Sequence, residues 1–277
     1  TLERCIHEIR RLEGVFSLYD SQSTLSRLNQ NGRVAAPEHE LVDLLSTALQ
    51  FNQETGGAFD VTVQRLWKTY ARHFSALEAS ANGPTRAVVK SDLNFVGSQY
   101  IRLSPREIVL QRKGMALTLN GIAQGYITDQ IRFLLNARGF NDVLIDLGEI
   151  FAAGTRSDGG AWQVGITDAA SHGGILKLIR LQDRALATSS DAGFVFSPDG
   201  QFTHLIDPRT GQSERRYRSV SVTADDAVTA DALSTSFAVM PLEEIERFIG
   251  KRTRISVSVH QHNGAVVSLP RGSVTAN

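Results

Sequence analysis

The chain has 277 residues, enough to bury about 70–75% of the surface that its unfolded form exposes. Lys and Arg together number 29, as do Asp and Glu, and no run of like charges occurs, so nucleic acid is not expected as a main ligand. The single cysteine cannot form an internal disulfide, and no stretch approaches the roughly 18 apolar residues of a membrane helix. We expect one domain over 1–277, or two intimate lobes.

Apolar spacing predicts two helices in the first part of the chain. Residues 1–14 carry apolar side chains about one helical turn apart. A second helix is expected over 37–54, with Pro37 at its first position, where the missing N–H would be unpaired in any case. Further along, 100–103 and 108–111 have the composition of a hairpin.

The second half of the chain is predicted to be rich in strands. Helices are expected over 123–138, 227–239 and 242–249, from their apolar periodicity and from the glycine that ends the first. The predicted strands are 142–147, 150–153, 162–166, 175–181, 185–189, 194–197, 202–206, 219–223, 255–260 and 264–268. Because helices are interspersed with strands that look mostly antiparallel, we predict an α+β fold rather than a doubly wound α/β sheet.

One block has the residue types and spacing of a cation site. The oxygen-bearing side chains of Asp231, Ser234 and Thr235 recur at i, i+3 and i+4, which stacks them on one face of a helix. Hard oxygen ligands of this kind suit a cation such as magnesium. A plainer interpretation makes Asp231 a carboxylate that offsets the helix dipole. The neighbouring residues are mostly apolar, so a polar stripe on this helix would need partners.

A histidine placed shortly before an Asp-Pro turn is the second candidate. Strand-like alternation puts His204 on the face shared with Phe202 and Ile206. A lone strand histidine is usually structural, and the turn that follows is expected to use Asp207 as a backbone acceptor and Gly211 at positive φ. Only the combination with a nearby metal site makes His204 a candidate proton acceptor.

Two further blocks contain glycine turns. Residues 117–126 have the pattern of a strand running through Gly121 into a helix, which either exposes backbone amides to an anion or uses glycine for close packing. Residues 56–63 have small side chains that open into a strand, and they either admit a flat ring or end a helix. The hydroxyl-rich segments 23–29 and 187–190 either line a site or cap a helix. The sequence has no dinucleotide fingerprint, P-loop or nucleophile elbow.

Five blocks in this order resemble the ApbE family of FAD:protein FMN transferases. They are Phe16-Ser-Leu-Tyr-Asp with Leu25-Ser-Arg-Leu-Asn, Thr55-Gly-Gly-Ala-Phe-Asp-Val-Thr-Val, Leu119-Asn-Gly-Ile-Ala-Gln-Gly-Tyr, His204-Leu-Ile-Asp-Pro-Arg-Thr-Gly and Ala230-Asp-Ala-Leu-Ser-Thr. Any one block is weak, but the ordered set is specific. The resemblance implies a magnesium-dependent enzyme that cleaves FAD, attaches FMN through its phosphate to a threonine of an acceptor protein, and releases AMP.

The resemblance also implies a role for each matching residue. Asp231 and Thr235 would be side-chain ligands of the metal, with Ser234 close by, and Gly121 would add its backbone carbonyl. His204 would be the base that takes the proton of the acceptor threonine, and Asp231 is the other catalytic residue. The residues implied to contact the flavin are Ala58, Phe59, Asp60, Thr118, Gln124 and Ile206.

The chain departs from the family pattern in two respects. Thr118 stands where many members have an acidic residue and Gln124 where many have a lysine, which bears on the affinity for FAD or on its pose. The family's Met-Gly-Thr strand, expected ahead of the first helix, is not in this sequence, and we expect weaker flavin binding for that reason.

The version of the 117–126 block found here resembles the subgroup associated with nitrous-oxide-reductase maturation. That resemblance implies an acceptor that is a membrane flavoprotein facing the periplasm, and a periplasmic location reached after removal of an export signal. Two other functions fit the same residues. One is a non-catalytic flavin carrier, which would leave FAD intact. The other is an FAD pyrophosphatase, in which water attacks and FMN and AMP are released.

Overall fold

The structure is a computed structural model that describes residues 1–167 and 174–270. Its helices are α1 (Leu2–Phe16), α2 (Thr24–Asn31), α3 (His39–Glu54), α4 (Gln64–Phe74), α5 (Arg86–Leu93), α6 (Ala123–Asn136), α7 (Ala227–Val239) and α8 (Leu242–Ile249). Its strands are β1 (Arg33–Ala35), β2 (Ile101–Leu103), β3 (Glu107–Leu110), β4 (Val143–Asp146), β5 (Ile150–Ala153), β6 (Trp162–Thr167), β7 (Ile175–Leu181), β8 (Arg184–Ser190), β9 (Ser219–Ala224), β10 (Ser256–His260) and β11 (Val266–Leu269). Short 3-10 helices occur at Val61–Val63 and Ser98–Tyr100. The predicted α+β class is confirmed.

The chain divides into two compact units. The first unit takes in Thr1–Cys5, Gln124–Ala192 and the chain from Arg216 onward, and the second takes in Ile6–Ala123 and Gly193–Arg215. The single domain over 1–277 stays a prediction. No helix in the described part of the chain is long and apolar enough to cross a membrane.

A six-stranded sheet forms the centre of the first unit. Its strand order is β11-β10-β9-β8-β5-β4, and all neighbouring strands are antiparallel. The helix α7 packs against β8 and β9. The strands β6 and β7 form a separate antiparallel pair, which packs Val164 and Leu181 against Ala152 and Leu186 of the larger sheet.

Carboxylates fix the start of α7. Asp226 accepts a hydrogen bond from the Thr229 N–H at 2.7 Å, as an N-cap residue does. Asp129 of α6 accepts from the Ala227 and Val228 N–H groups at 3.1 and 3.0 Å. Donors at a helix start have no partner within the helix, so these contacts anchor α7 to α6 at one defined position.

The second unit combines a small sheet with helices. Its strands have the order β1-β3-β2 and are antiparallel. Leu66, Tyr70, Val89 and Ile206 form a buried cluster in this unit. The phenol of Tyr70 donates to the Gly211 carbonyl at 3.0 Å, and this bond ties the 207–211 turn to α4.

The segments predicted as strands at 202–206 and 194–197 pair as an antiparallel hairpin, but neither forms a regular strand among the residues that the structure describes. The Phe196 N–H donates to the Phe202 carbonyl at 2.8 Å, and the His204 N–H donates to the Phe194 carbonyl at 3.0 Å. Isolated bridges join Val195 to Thr203 and Ile206 to Ser213. The Ser213 hydroxyl accepts from the Thr203 N–H at 2.7 Å and donates to the Thr203 carbonyl at 2.8 Å. The Ser213 side chain thus makes the hydrogen bonds to the Thr203 N–H and carbonyl that a further strand on that side would otherwise have to make.

The two glycine blocks also lack the strands predicted for them. The side-chain amide of Asn29 bonds both backbone groups of Leu117, at 2.9 and 2.6 Å, so this segment is extended without a strand partner there. After Gly57 the chain forms the 3-10 helix Val61–Val63, because Asp60 caps the Thr62 N–H at 2.8 Å.

The remaining predicted helices and strands are present, with ends that differ by a few residues. The helix predicted from Pro37 begins at His39, with Glu38 before it. No sequence pattern indicated the helices α4 and α5, and α2 was indicated only as the helix that the 23–29 segment would cap. Ser23 accepts from the Ser26 N–H at 3.0 Å, which confirms the capping interpretation of the 23–29 segment.

Candidate functional site

The polar stripe predicted on α7 is present and buried. Asp231 and Ser234 are 3% and 1% exposed, and Thr235 is half-buried. Ser189 of β8 extends the stripe, because its hydroxyl oxygen lies 2.9 Å from that of Ser234 and 3.4 Å from that of Thr235. This contact favours the site-lining interpretation of the 187–190 segment.

Gly125 brings the start of α6 against the Asp231 carboxylate. Its N–H donates to Asp231 Oδ2 at 2.9 Å. A Cβ atom added to Gly125 would lie 2.3 Å from the Ala227 carbonyl oxygen and 2.8 Å from Asp231 Cβ. The 117–126 block therefore needs a glycine for close packing at Gly125 inside α6, whereas the sequence interpretation concerned Gly121 at the turn ahead of that helix. The amide at this helix start also binds an anionic group, and that group is the protein's own carboxylate.

Glu149 is a second buried carboxyl, and it was not among the site residues predicted from the sequence. It is 7% exposed, and within residues 1–167 and 174–270 its Oε2 atom has no hydrogen-bond partner. Burial raises the pKa of Glu149, and the neighbouring carboxyl of Asp231 raises it further, with a smaller effect from Asp146. The available signal was a carboxylate in the short connection between two predicted strands.

The two carboxyls of this buried pair have no basic partner among the residues that the structure describes. Burial also raises the pKa of Asp231, against the opposing effect of the Gly125 N–H. No basic side chain in the described ranges forms a salt bridge with Asp231 or Glu149. Buried charges are normally paired or bound to a metal, so the arrangement suits a cation.

The donor set for such a cation is mixed. Among the residues that the structure describes, no group of three or more His, Cys, Asp or Glu side chains is arranged to hold a metal ion. A cation here would therefore have to use neutral oxygens in addition to carboxylates. The hydroxyls of Ser189, Ser234 and Thr235 are of the kind that Mg²⁺ accepts, so the first unit fits the ion that the sequence predicts.

Gln124 lies in the same unit, at the first turn of α6. Its side chain is exposed, and its Nε2 atom lies 2.6 Å from the position of a Cβ added to Gly148. The amide therefore covers the backbone next to Glu149. Its contact with a flavin ligand stays a prediction.

His204 belongs to the second unit and is partly exposed. Its Nδ1 atom lies 3.0 Å from the Phe194 carbonyl oxygen, which also accepts the His204 main-chain N–H at 3.0 Å. A carbonyl can only accept, so Nδ1 carries the proton in the neutral ring and Nε2 holds the lone pair. This tautomer is the one in which Nε2 acts as a base.

The turn after His204 has the geometry that its residues predict. The Asp207 carboxylate accepts from the Arg209 N–H at 2.9 Å and pairs with its guanidinium at 2.8 Å. Gly211 has φ of +74°. Ile206, predicted to lie against the flavin, is 6% exposed and packs in the cluster of the second unit.

The predicted flavin block is held by a dense set of hydrogen bonds. The Asp60 carboxylate accepts five, from the side chain of Asn52 and from the backbone and hydroxyl groups of Thr62 and Ser98. The Thr118 N–H donates to the Val61 carbonyl at 2.8 Å, which brings the two glycine blocks together. In this structure Asp60 orders the block through internal bonds.

The other two residues of that block, Ala58 and Phe59, are 3% and 4% exposed. Phe59 packs edge-on against Phe51, with ring centroids 6.3 Å apart. Gly121, predicted to offer its carbonyl to the metal, is half-buried and belongs to the second unit. The roles of these residues toward flavin and metal stay predictions.

The comparisons of this chain with known proteins agree on one family. The model of the ApbE family matches residues 2–259. The FAD:protein FMN transferase of Treponema pallidum is 31% identical over 265 residues, which cover 88% of this chain and 72% of that protein. The transferase of the same name from Haemophilus influenzae is 29% identical over 244 residues, with coverages of 84% and 70%.

Solved structures show the same fold. The ApbE protein of Thermotoga maritima superposes with a TM-score of 0.85 at 27% identity, over 96% of this chain and 87% of that one. The flavin transferase ApbE of Vibrio cholerae superposes with a TM-score of 0.82 at 24% identity, with the same coverages. The predicted mixture of helices with mostly antiparallel sheets is therefore that of an established fold.

Proposed function

This chain belongs to the ApbE family, and we propose that it transfers FMN from FAD to an acceptor protein. The observation that carries the proposal is the buried Asp231 and Glu149 pair beside the hydroxyl stripe of α7, which calls for a cation. The relatives named FAD:protein FMN transferase support the reaction class. A site that holds a cation suits a substrate with a pyrophosphate.

We propose a threonine of the acceptor as the nucleophile. Its Oγ atom forms a bond to the phosphorus of the FMN moiety, and the bond from that phosphorus to the bridging oxygen breaks. AMP leaves with the bridging oxygen, and the acceptor keeps FMN as a phosphate ester. The reaction is balanced, because the hydroxyl proton passes to a base and then to the phosphate products or solvent.

His204 is the proposed base. A threonine hydroxyl is a weak nucleophile until its proton is removed, and a neutral imidazole acts at ordinary pH. The Phe194 carbonyl supports this role because it holds the proton on Nδ1 and leaves Nε2 to accept. Asp231 is assigned to the metal, and it is the next candidate for the base should His204 prove to be only a binding residue.

Asp231 and Thr235 are the proposed side-chain ligands of Mg²⁺, with Ser234 next to them. When bound, the ion would neutralise pyrophosphate charge and polarise the attacked phosphorus. The protein's own part is to exclude water and to hold the carboxylate in place through the Gly125 N–H. Binding of Mg²⁺ without FAD is measurable by titration calorimetry, so this assignment has a test that does not depend on turnover.

We further propose a periplasmic enzyme whose acceptor is a membrane flavoprotein. The support is the resemblance of the 117–126 block to the subgroup associated with nitrous-oxide-reductase maturation. Cell fractionation with an antibody against this chain tests the location. Incubation of source membranes with enzyme and FAD tests the acceptor, since a fluorescent flavin band that survives denaturing electrophoresis reports covalent attachment. A chain found only in the cytoplasmic fraction contradicts the proposed location.

One experiment separates transfer from the two alternative functions. The protein is incubated with FAD, Mg²⁺ and a threonine peptide, with AMP followed by chromatography and the peptide by mass spectrometry. Transfer gives AMP together with a peptide that has gained FMN less one water. A pyrophosphatase gives AMP and free FMN with an unmodified peptide, whereas a flavin carrier leaves FAD intact. Either of the last two results overturns the proposed function.

A further inference from the structure

One face of the sheet in the first unit is lined with hydroxyl groups. Ser189 of β8 points to α7, so its neighbour Thr188 lies on the opposite face. The register pairs Thr188 with Ser221 of β9, and Ser221 with Ser258 of β10. It also pairs Ser258 with Ser268 of β11. Residues paired across antiparallel strands share a face, so a row of hydroxyls crosses four strands on the face away from α7.

A cavity of about 240 Å³ is lined by three serines of this row, Ser221, Ser258 and Ser268, and by residues of β7. Three basic residues line it, namely Lys177, Arg180 and Arg184. Within the described ranges none of the residues that line it is acidic. One water molecule occupies about 30 Å³ in the liquid, so the cavity has room for a tetrahedral anion with a small group attached.

The hydrogen bonds of Lys177 determine which way two serine hydroxyls in this cavity donate. Its ammonium donates to the hydroxyl oxygens of Ser268 and Ser258, at 2.9 and 3.3 Å. An ammonium has three N–H donors and no acceptor, so both serines must accept and their own protons remain free to donate. Among residues 1–167 and 174–270, no carboxylate pairs with Lys177 and no acceptor takes those two protons.

Arg184 adds a guanidinium that is only partly balanced. It donates to the carbonyls of Thr223 and Arg254, at 3.2 and 2.6 Å. Its nearest carboxylate, Asp225, is 3.9 Å away and is already bound by Arg254 at 2.7 Å. Burial lowers the pKa of both Lys177 and Arg184, as expected for cations that have lost water without gaining a full counter-charge.

We propose that this cavity binds a phosphate group, held by Lys177 together with the hydroxyls of Ser258 and Ser268. Three converging donors and an excess of positive charge match an oxyanion with several acceptor oxygens. The proposal uses the face of the sheet away from α7 and does not rest on the proposed transferase function. Free phosphate and a small phosphomonoester carry the same recognised group, so both serve as probes.

Titration calorimetry at constant ionic strength tests the site with inorganic phosphate, glycerol 3-phosphate and acetate. The Lys177→Met variant should weaken binding of the phosphate probes by about tenfold or more, since a hydrogen bond to a charged group is lost. The double variant Ser258→Ala/Ser268→Ala keeps the ammonium and should weaken binding by a similar factor. Lys251→Met is the matched control, because Lys251 is exposed and does not line the cavity.

The probe that binds more tightly to the wild type identifies the source of the phosphate group. Saturable binding that falls in both cavity variants and not in the control supports the site. Absence of saturable binding overturns the proposal, as does binding that is unchanged in both variants. Acetate binding as tightly as phosphate overturns the assignment to a phosphate group. Circular dichroism of each variant checks that the fold is retained.

Discussion

Replacement of Gly125 by alanine should destabilise the protein sharply. The added methyl carbon would lie 2.3 Å from the Ala227 carbonyl oxygen, 2.6 Å from the Ala227 carbonyl carbon and 2.8 Å from Asp231 Cβ. Two of these three atoms are backbone atoms of the first turn of α7. That turn is fixed by Asp226 and by Asp129 of α6, so it cannot move away without losing its caps.

The expected cost follows from three contributions. Overpacking of a tight contact typically costs about 1–3 kcal/mol. Displacement of the Gly125 N–H from the Asp231 carboxylate costs roughly 1.5–3 kcal/mol, as for hydrogen bonds to charged groups. The better helix propensity of alanine returns about 1 kcal/mol. The net loss of about 3 kcal/mol corresponds to a fall in Tm of roughly 6–12 °C for a chain of this length.

Gly14→Ala is the matched control. Gly14 lies in α1, and apart from the nearby backbone of that helix an added Cβ there meets no atom of the described residues within 4 Å. Both substitutions gain the same helix propensity, so their difference isolates the contact with α7. Differential scanning calorimetry should show an unchanged or higher Tm for Gly14→Ala. Equal Tm values for the two variants would refute the argument that α6 and α7 require glycine at this contact.

Four other predictions concern charge and chemistry. Asp231→Asn should abolish metal-dependent turnover with the fold retained. Thr235→Val should weaken Mg²⁺ binding less than Asp231→Asn does, because it removes a neutral oxygen. Calorimetric titration with Mg²⁺ checks this ranking, and weaker binding by Thr235→Val than by Asp231→Asn contradicts it. Gln124→Lys should tighten FAD binding at low salt, and the gain in affinity should shrink as the salt concentration rises. If fluorescence titrations give the same affinity for the variant and the wild type at every salt concentration, the side chain points away from the ligand. His204→Ala should keep FAD affinity and lose about 10²–10⁴ in transfer rate. Wild-type transfer should fall at acidic pH, because a protonated imidazole cannot accept the hydroxyl proton. Loss of FAD binding in the variant would make His204 a binding residue. Burial raises the pKa of Asp129 to about 6. The contribution of Asp129 to stability is therefore full below its unfolded pKa of about 3.9 and is lost as pH rises through about 6. Between pH 4 and 7 the Tm of Asp129→Asn should fall less than that of the wild type, and identical pH profiles of the two proteins would contradict the shift.

Local periodicity correctly predicted those helices and strands whose formation depends mainly on the spacing of their own apolar and polar residues. The i, i+3, i+4 spacing placed Asp231, Ser234 and Thr235 on α7, and apolar alternation located most strands of the first unit. These predictions hold because the period of an element follows from its own backbone geometry. The turn at 207–211 was equally predictable, since the requirements of Asp207 and Gly211 are local.

The errors arise where a distant side chain replaces a backbone partner. Asn29 bonds both backbone groups of Leu117, and Ser213 bonds both backbone groups of Thr203. In each case a side chain makes the hydrogen bonds that a neighbouring strand would make to the backbone of a strand-like segment, and no local sequence pattern indicates this. Glu149 was missed for a related reason, because its importance lies in its proximity to Asp231, which is 82 residues further along the chain.

The central claim is that FMN becomes covalently attached to a threonine through a reaction that depends on the α7 site. The most direct measurement is the intact mass of a threonine peptide, and of the same peptide with valine at that position, after incubation with the enzyme and FAD. The account predicts a gain of one FMN less one water on the threonine peptide alone, with Mg²⁺ present, and no gain with a chelator or with the Asp231→Asn enzyme. Modification that persists in the Asp231→Asn enzyme, or that occurs on the valine peptide, would contradict it.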